Sequence, residues 1–445
     1  MKIYNNISFL ALILIAFWSM TTAKAQNSWS LMQCIDYAVE NNIDLNTSYN
    51  QVDMQETNLL ESKANLLPDL NMGSGLNLNY GRNIDGNSNN ITYDPTLSNN
   101  YWINTSVNIF QGLVKVNTIS FNKYLLSARK EEASYMKNKL IFKVITSYYM
   151  VLYTKGLEDV ARSQVELSQM QFERMQKLVD VGRESPLTVQ DLKSQWAGDK
   201  LSLTRAKNNV SKSLLELKQL LRLDAHQAFS IDTLGLASFA LMQEQNVDSL
   251  YHIAVSILPE IKQQEYLFKA SEKDLSVAKG GISPRVYMSA GFNTGYYDGD
   301  SLNFNSQITS NQNPWVNMGV VIPIFNNALI YSRIKRKQIA VKDQQLALEK
   351  QYDVLYAEIW KAIDELQSAE NEYYSAEELF EFSDLSLKNV TKKLETGLAS
   401  TTDYQLAKQR YTFAKATLLK AKLIYMMRKQ MLEFYKTGDW SHLEV

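Results

Sequence analysis

Four segments of the chain alternate apolar and polar residues, and they occur as one pair in each half of the sequence. In residues 70–80, leucine, methionine and tyrosine take most even positions, whereas asparagine and glycine take the odd ones. Three further segments show the same alternation. Because successive side chains of a strand point to opposite faces, the pattern predicts strands with one apolar face at about 70–81, 101–110, 286–297 and 315–325.

A long helical pattern follows each pair of predicted strands. Residues 113–181 contain one glycine, Gly156, and no proline, and their apolar residues recur every three or four positions; residues 328–396 repeat this pattern. A helix of almost 70 residues extends about 100 Å at 1.5 Å per residue. Each stretch ends at a glycine, Gly182 or Gly397, and a shorter helical pattern follows. We therefore predict helical hairpins at about 113–222 and 328–435.

The order of helix, strand pair and helical hairpin occurs twice. Pro68 and Pro284, roughly 215 residues apart, each end a helical pattern where the first strand of a pair begins. Gly112 provides a turn where the first pair ends, and residues 325–327 do so after the second. The sequence thus predicts an internal duplication, with a first repeat at 26–240 and a second at 241–445.

The first 25 residues resemble a cleaved secretory signal peptide. They contain Lys2, an apolar run from Ile7 to Trp18 and the sequence Ala23-Lys24-Ala25. The rest of the chain has no apolar run long enough for a membrane-spanning helix, so any membrane segment must consist of strands. Removal of residues 1–25 takes the formal charge from −1 to about −3, which argues against a nucleic-acid partner.

The polar faces of the predicted strands favour an outer-membrane barrel. Strands of about ten residues with one apolar face match the wall of such a barrel, and a face of Asn, Ser and Gly suits a water-filled interior. Two soluble hairpins packed on helices are the alternative. Four strands are too few to close a barrel, so several copies of the chain would have to share it. The connections at 82–100 and 298–314 are rich in Asn, Asp, Ser and Gly, which is typical of extracellular loops.

The two hairpin tips contain local helix-ending and helix-starting signals. Gly182 and Gly397 suit the left-handed conformation that ends many helices. Ser185 and Pro186 then predict an N-cap and a first helical residue. In the second tip, Ser400 and Asp403 have the spacing of a capping box.

With these features the chain resembles the TolC family of outer-membrane efflux proteins over essentially its whole mature length. The duplication, the proline before each first strand, the turns after each second strand and the glycines of the hairpin tips carry the resemblance. It implies a homotrimer with a 12-stranded β-barrel, four strands per protomer, continued by an antiparallel α-helical coiled-coil tunnel in the periplasm. Residues 223–247 are similar in position to the equatorial segment of the family.

The resemblance also implies a function and a set of site residues. Such proteins are exit ducts of tripartite efflux pumps or type I secretion systems in the outer membrane of Gram-negative bacteria, and they work with a periplasmic adaptor and an inner-membrane transporter. The residues expected at the adaptor-docking tips are Gly182, Arg183, Glu184, Gly397, Leu398 and Ala399. Arg183 and Glu184 depart from the family pattern.

A constriction of the pore is expected near the second tip. Asp403 falls where the family has an acidic residue, and three copies would form a ring of carboxylates. Helix capping explains Asp403 equally well. Leu406 stands where the family can have a second aspartate, and in the first tip the candidate acid is Asp191. The constriction is therefore expected to be closed by fewer charged contacts, or by apolar ones.

No catalytic, cofactor-binding or metal-binding constellation is evident in the sequence, so an enzyme is not expected and no cofactor is predicted. The alternative function is a periplasmic coiled-coil scaffold without a channel. Such a scaffold would not require four strands with a polar face. The sequence does not distinguish export of drugs, metal ions or proteins.

Overall fold

The computed structural model describes residues 28–84, 90–232 and 246–440. The predicted signal peptide at 1–25 and part of the predicted equatorial segment at 223–247 lie outside these ranges. The elements in chain order are α1 Leu31–Asn41, α2 Ile43–Ala64, β1 Asp69–Asn79, β2 Asn83–Ile84, β3 Ile91–Thr92, β4 Thr96–Gln111, α3 Val114–Asp180, α4 Pro186–Leu221, α5 Val247–Ile257, α6 Pro259–Gly280, β5 Arg285–Tyr297, α7 Phe304–Ser310, β6 Asn313–Val321, α8 Leu329–Glu395 and α9 Thr401–Thr437.

The chain forms two compact units, and each takes segments from both predicted repeats. The strand unit comprises the described residues within 47–135 and 258–355, and the helical unit comprises those within 1–46, 136–257 and 356–445. The repeats at 26–240 and 241–445 are thus a division of the sequence, whereas the units are a division of the fold. The long helices α3 and α8 each pass from one unit into the other.

The strand unit contains one antiparallel sheet of four long strands in the order β1-β4-β5-β6. Its registers place Gly73 opposite Trp102 and Gly291 opposite Trp315. Each glycine leaves room for the ring of its partner, because a Cβ atom at either position would collide with the indole. Strands β1 and β6 are the edges of the sheet and have no further partner within the described chain.

Two strands differ from their predicted bounds. The last strand, predicted at 315–325, ends at Val321, because Pro323 has no N–H to donate to a ladder. The second strand, predicted at 101–110, begins five residues earlier, at Thr96. The pattern missed these residues because Ser98, Asn99 and Asn100 interrupt the alternation, although the neighbouring strands provide all their pairs.

A β-bulge interrupts the regular pairing near the end of β4. In the pairing of β4 with β5, Asn108 is opposite Tyr287 and Phe110 is opposite Val286, so Ile109 is the extra residue. Phe110 therefore takes the position opposite Val286 that a regular ladder would give to Ile109.

Both connections predicted as loops contain ordered elements. The strands β2 and β3 pair within residues 82–100. Residues 298–314 contain α7, whose Gln307 is fully buried. The Gln307 amide accepts from the Tyr297 N–H at 2.8 Å and donates to the Tyr297 carbonyl at 2.9 Å. Strand β6 pairs with β5 only as far as Asn293. At Tyr297, beyond that point, the Gln307 side chain makes the backbone hydrogen bonds that a partner strand would otherwise make.

Both long helices begin after residues with unusual backbone angles. Gly112 and Leu113 have positive φ angles before α3, as do Asn327 and Ala328 before α8. A Cβ atom at Gly112 would collide with the Gly280 carbonyl and with Ser283. Gly112 therefore has two reasons to be glycine, the left-handed conformation and the close approach of the chain that leads into β5.

The helical unit has a core in which α1, α3, α4 and α9 meet. Cys34 is fully buried there, and burial raises the pKa of its thiol to about 12. The Tyr148 hydroxyl donates to the Asp232 carbonyl at 2.8 Å, and Trp29 pairs with Ile231 in a parallel bridge. The segment before α1 is thereby joined to the chain that follows α4.

Candidate functional site: the hairpin tips and the exposed sheet face

The two hairpin tips have the same backbone arrangement. Gly182 has φ +72° and Gly397 has φ +75°. In the first tip the Gly182 N–H donates to the Val179 carbonyl and the Arg183 N–H to the Leu178 carbonyl, both at 2.9 Å. In the second tip the Gly397 N–H donates to the Leu394 carbonyl and the Leu398 N–H to the Lys393 carbonyl. These paired bonds are a Schellman motif, and they satisfy carbonyls at the end of α3 and α8.

A serine then starts each returning helix. The Ser185 hydroxyl accepts from the Leu187 N–H at 3.2 Å, and Pro186 is the first residue of α4. The Ser400 hydroxyl accepts from the Asp403 N–H at 3.1 Å, and the Asp403 carboxylate accepts from the Ser400 N–H at 3.0 Å. The second tip thus contains the complete capping box that its sequence predicts.

The capping box stabilises the ionised form of Asp403. The Ser400 hydroxyl and then the Ser400 N–H stabilise its carboxylate, and they hold its pKa below the usual value. The side chain is exposed and therefore ionised at neutral pH. Capping occupies the carboxylate within the protomer; a role in a pore constriction remains a prediction.

The other predicted tip residues lie at the surface. The side chains of Leu398 and Leu406 are 78% and 48% exposed. Arg183, Glu184 and Asp191 are exposed as well, whereas Ala399 is half-buried. Leu406 lines a groove of about 460 Å³ with Gln164, Gln195, Thr402, Gln405, Lys408 and Gln409. Asp403 and Asp191 do not line this groove.

The groove lies over a buried ion pair that the sequence reasoning missed. The Lys408 ammonium group is 2.7 Å from the Asp199 carboxylate, and the two side chains are 4% and 5% exposed. Lys408 also donates to the Gln164 carbonyl at 3.2 Å, and Gln195 donates to Asp199 at 3.0 Å. These bonds join α9 of the second hairpin to α3 and α4 of the first. A lysine between Tyr404 and Tyr411 on an apolar stripe is the signal that could have revealed it.

The sheet of the strand unit exposes an apolar face over most of its width. Met72 is 82% exposed, and the exposed residues of the same face include Leu70, Leu76, Leu78, Val316, Met318 and Val320. The opposite face carries Asn71, Asn104, Asn293 and Asn317. An exposed apolar surface of this size is typical of a membrane or protein contact. None of the described helices is long and apolar enough to cross a membrane.

Within residues 28–84, 90–232 and 246–440, no group of three or more His, Cys, Asp or Glu side chains is placed to hold a metal ion.

Proline precedes the first strand of each pair, at Pro68 before β1 and at Pro284 before β5, where the sequence predicts strand entry.

Comparisons with known proteins agree with this architecture. The family model described as outer membrane efflux protein matches residues 34–221. The chain is 21% identical to outer membrane protein TolC of Vibrio cholerae over 389 residues, which cover 85% of this chain and 82% of that protein.

Solved channels share the fold over more than nine-tenths of the chain. The Campylobacter jejuni CmeC outer membrane channel superposes with a TM-score of 0.77 at 15% identity, covering 93% of this chain and 87% of that one. The outer membrane protein VceC of Vibrio cholerae gives a TM-score of 0.76 at 13% identity, covering 92% and 95%. The predicted fold class is confirmed by this likeness. The family model over residues 34–221, the TolC relative and the shared channel fold thus agree with the predicted resemblance to the TolC family of outer membrane efflux proteins and with a location in the outer membrane.

Proposed function

We propose that this protein is the outer-membrane exit duct of a tripartite efflux pump or a type I secretion system. Three copies would form a 12-stranded barrel, and their helices would form a periplasmic tunnel. The duct is a passive channel without catalytic activity, because the energy for export comes from an inner-membrane transporter. A periplasmic adaptor connects the two.

The observation that carries this proposal is the sheet with an exposed apolar face and two unpaired edge strands. Strands β1 and β6 each present a row of backbone groups that need partners in a membrane, where no water replaces them. Pairing of β6 with β1 of the next copy satisfies both edges when the sheet closes. Four strands cannot enclose a lumen, whereas twelve can.

The hairpin tips are the proposed periplasmic gate and docking surface. The adaptor would contact Gly182, Arg183, Glu184, Gly397, Leu398 and Ala399, which lie in or next to the two Schellman turns. The exposed Leu398 offers an apolar contact, and Arg183 with Glu184 offers charged ones that could select the partner. Asp403, Leu406 and Asp191 are the proposed residues of the constriction, closed until the adaptor docks.

The native mass of the protein extracted in detergent from outer-membrane vesicles tests the assembly. A trimer with conductance in planar bilayers is the expected result. A monomer found in the soluble periplasmic fraction would instead support the alternative, a coiled-coil scaffold without a channel.

Single-channel currents of Asp403→Ala test the constriction. We expect altered cation preference and weaker block by divalent cations if three Asp403 carboxylates meet in the pore. Thr188→Ala, at the equivalent position of the first tip, is the matched control. Identical currents for wild type and both variants would leave Asp403 with its capping role alone.

Adaptor docking is tested by pull-down with the purified adaptor encoded with the same pump. Leu398→Glu and the double variant Arg183→Glu/Glu184→Arg are expected to lose capture while the trimer and its conductance persist. Capture at the wild-type level by both variants would show that the docking surface lies elsewhere.

A further inference from the structure

The apolar row of β6 continues beyond the last residue of the strand. Val316, Met318 and Val320 share the exposed apolar face, and Ile322 and Ile324 are exposed apolar residues of the segment that follows the strand. The side chain of Ile324 is 94% exposed and that of Phe325 is 82% exposed. The turn that leads to α8 therefore presents large apolar side chains at the edge of the membrane-facing surface.

All charged residues in the first part of α8 are basic. Residues 328–342 contain Arg333, Lys335, Arg336, Lys337 and Lys342 and no acidic residue. Residues 343–395 of the same helix contain thirteen acidic and five basic residues. Positive charge is therefore concentrated at the end of α8 that adjoins the sheet, and the near-neutral net charge of the chain hides this asymmetry.

Within this segment, two arginines are available to a ligand. Lys337 pairs with Asp274 of α6, and Ile330 packs near Gly281, so these positions face α6. Arg333 and Arg336 lie three residues apart, are both exposed and make no ion pair within the described part of the chain. Residues three apart on a helix are neighbours, so the two guanidinium groups can act on one ligand.

We propose that Arg333 and Arg336, with Ile324 and Phe325, bind the headgroup of an anionic glycerophospholipid at the periplasmic edge of the outer membrane. The headgroup region on each side of a bilayer is about 5–8 Å thick. Arg333 lies four residues beyond Leu329, a rise of about 6 Å along the helix. Ile324 and Phe325 contact the acyl chains, and the guanidinium groups bind the phosphate with two parallel hydrogen bonds.

The start of α3 has a related but weaker arrangement. Leu113 and Val116 are exposed there, and no acidic residue occurs between Lys115 and Glu131. The Lys115 ammonium group, however, donates to the Asn65 carbonyl. The proposed lipid site is therefore assigned to α8, where the arginines have no such partner among the residues that the structure describes. The proposed lipid site requires only that the protein lies in the outer membrane, and it is independent of which substrate the protein exports.

Native mass spectrometry of the full-length trimer tests the site, with phosphatidylglycerol and phosphatidylcholine added separately. Arg333→Ala/Arg336→Ala is expected to weaken binding of phosphatidylglycerol about tenfold or more, since each basic residue near an anionic surface contributes measurably to attraction. Binding of phosphatidylcholine is expected to change little. Lys342→Ala/Lys350→Ala removes the same charge further along α8 and is expected to retain phosphatidylglycerol within about twofold of wild type.

Two further variants keep the test decisive. Arg333→Lys/Arg336→Lys preserves charge but not bidentate geometry, and it is expected to bind less phosphatidylglycerol than wild type and more than the alanine variant. Ile324→Ser/Phe325→Ser is expected to weaken binding of both lipids. Equal loss in the Lys342/Lys350 control, or no loss in the arginine variants, overturns the proposal. Unchanged lipid binding with altered ion selectivity in planar bilayers would place the arginines in the lumen.

Discussion

The two hairpin tips share a backbone but distribute their charges differently. Gly182 and Gly397 are 215 positions apart, as are Ser185 and Ser400, and both pairs have the same roles in the turn. At the equivalent positions that follow, the first tip has Thr188 and Asp191, whereas the second has Asp403 and Leu406. The acidic residue thus occupies a different position in each tip, while the turn is the same. The side chains at these positions have therefore diverged, whereas the backbone geometry of the turn has not.

Further from the tips, equivalent residues of the two hairpins differ in burial. Lys193 and Lys408 are also 215 positions apart. Lys193 is exposed, whereas Lys408 is buried against Asp199 and Gln164. Equivalent residues of the duplication therefore have different environments, because only α9 packs its lysine between the two helices of the other hairpin. The difference identifies Lys408 as a contact between hairpins, and it predicts unequal effects of equal substitutions.

The largest effect is expected from removing the buried lysine. Lys408→Ala leaves the Asp199 carboxylate buried without its ion partner, a change that costs about 3–5 kcal/mol in other proteins. The matched variant Lys193→Ala is expected to change the free energy of unfolding by less than about 0.5 kcal/mol. Thermal unfolding of the two detergent-solubilised variants measures the contrast. Lys408→Met/Asp199→Leu, which removes both charges, is expected to recover most of the loss.

Equal midpoints for the two alanine variants would contradict the comparison. They would mean that solvent reaches the Lys408 site in the assembled protein and removes the penalty of an unpaired charge.

An intermediate effect, equal in the two tips, is expected from the turn glycines. Gly182→Ala and Gly397→Ala each force a residue with a Cβ atom into the left-handed region, at a cost of about 1–2 kcal/mol. Gly198→Ala is the control, because it lies within α4 with open space around it and should stabilise the helix by about 0.5–1 kcal/mol. Melting temperatures of the three variants provide the measurement. A clear difference between the two tip variants would show that the turns are not equivalent.

The smallest effect, and one confined to the second tip, is expected from the capping carboxylate. The pKa of Asp403 is lowered in the folded protein, so the carboxylate stabilises the fold above its unfolded pKa of about 3.9. This contribution is lost as the pH falls through that value and the lower folded pKa. Asp403→Ala should therefore lower the melting temperature at pH 7 and approach the wild-type value near pH 3. Thr188→Ala should show no such pH dependence, and a pH-independent difference for Asp403→Ala would contradict the capping assignment.

Much of the tip and strand architecture could be predicted because its causes are local. A glycine at the end of a helical pattern followed by serine predicts the turn, since both residues act on backbone groups within a few positions of themselves. Alternation predicts a strand for the same reason. Prediction failed where a partner segment decides the outcome. Strand β4 begins at Thr96 because β1 and β5 pair with residues that do not alternate.

The bulge at Ile109 and the role of Gln307 show the same limit. An extra residue in one strand is defined only by the residues opposite it, and a glutamine that replaces a partner strand requires α7 to fold back onto β5. Neither arrangement has a local signature. The exposed docking residues at the tips were predictable only as members of a family pattern, and their role stays a prediction.

By itself, the sequence determined the duplicated order of elements, the one-sided strands and the two capped turns, because propensity, periodicity and capping act over short distances along the chain. Only the tertiary structure decided which charges are buried. Lys193 and Lys408 have the same residue type in equivalent helices, yet one faces solvent and the other binds Asp199. Burial depends on which helices meet, and that is set by packing between segments some 200 residues apart, beyond the reach of any local pattern.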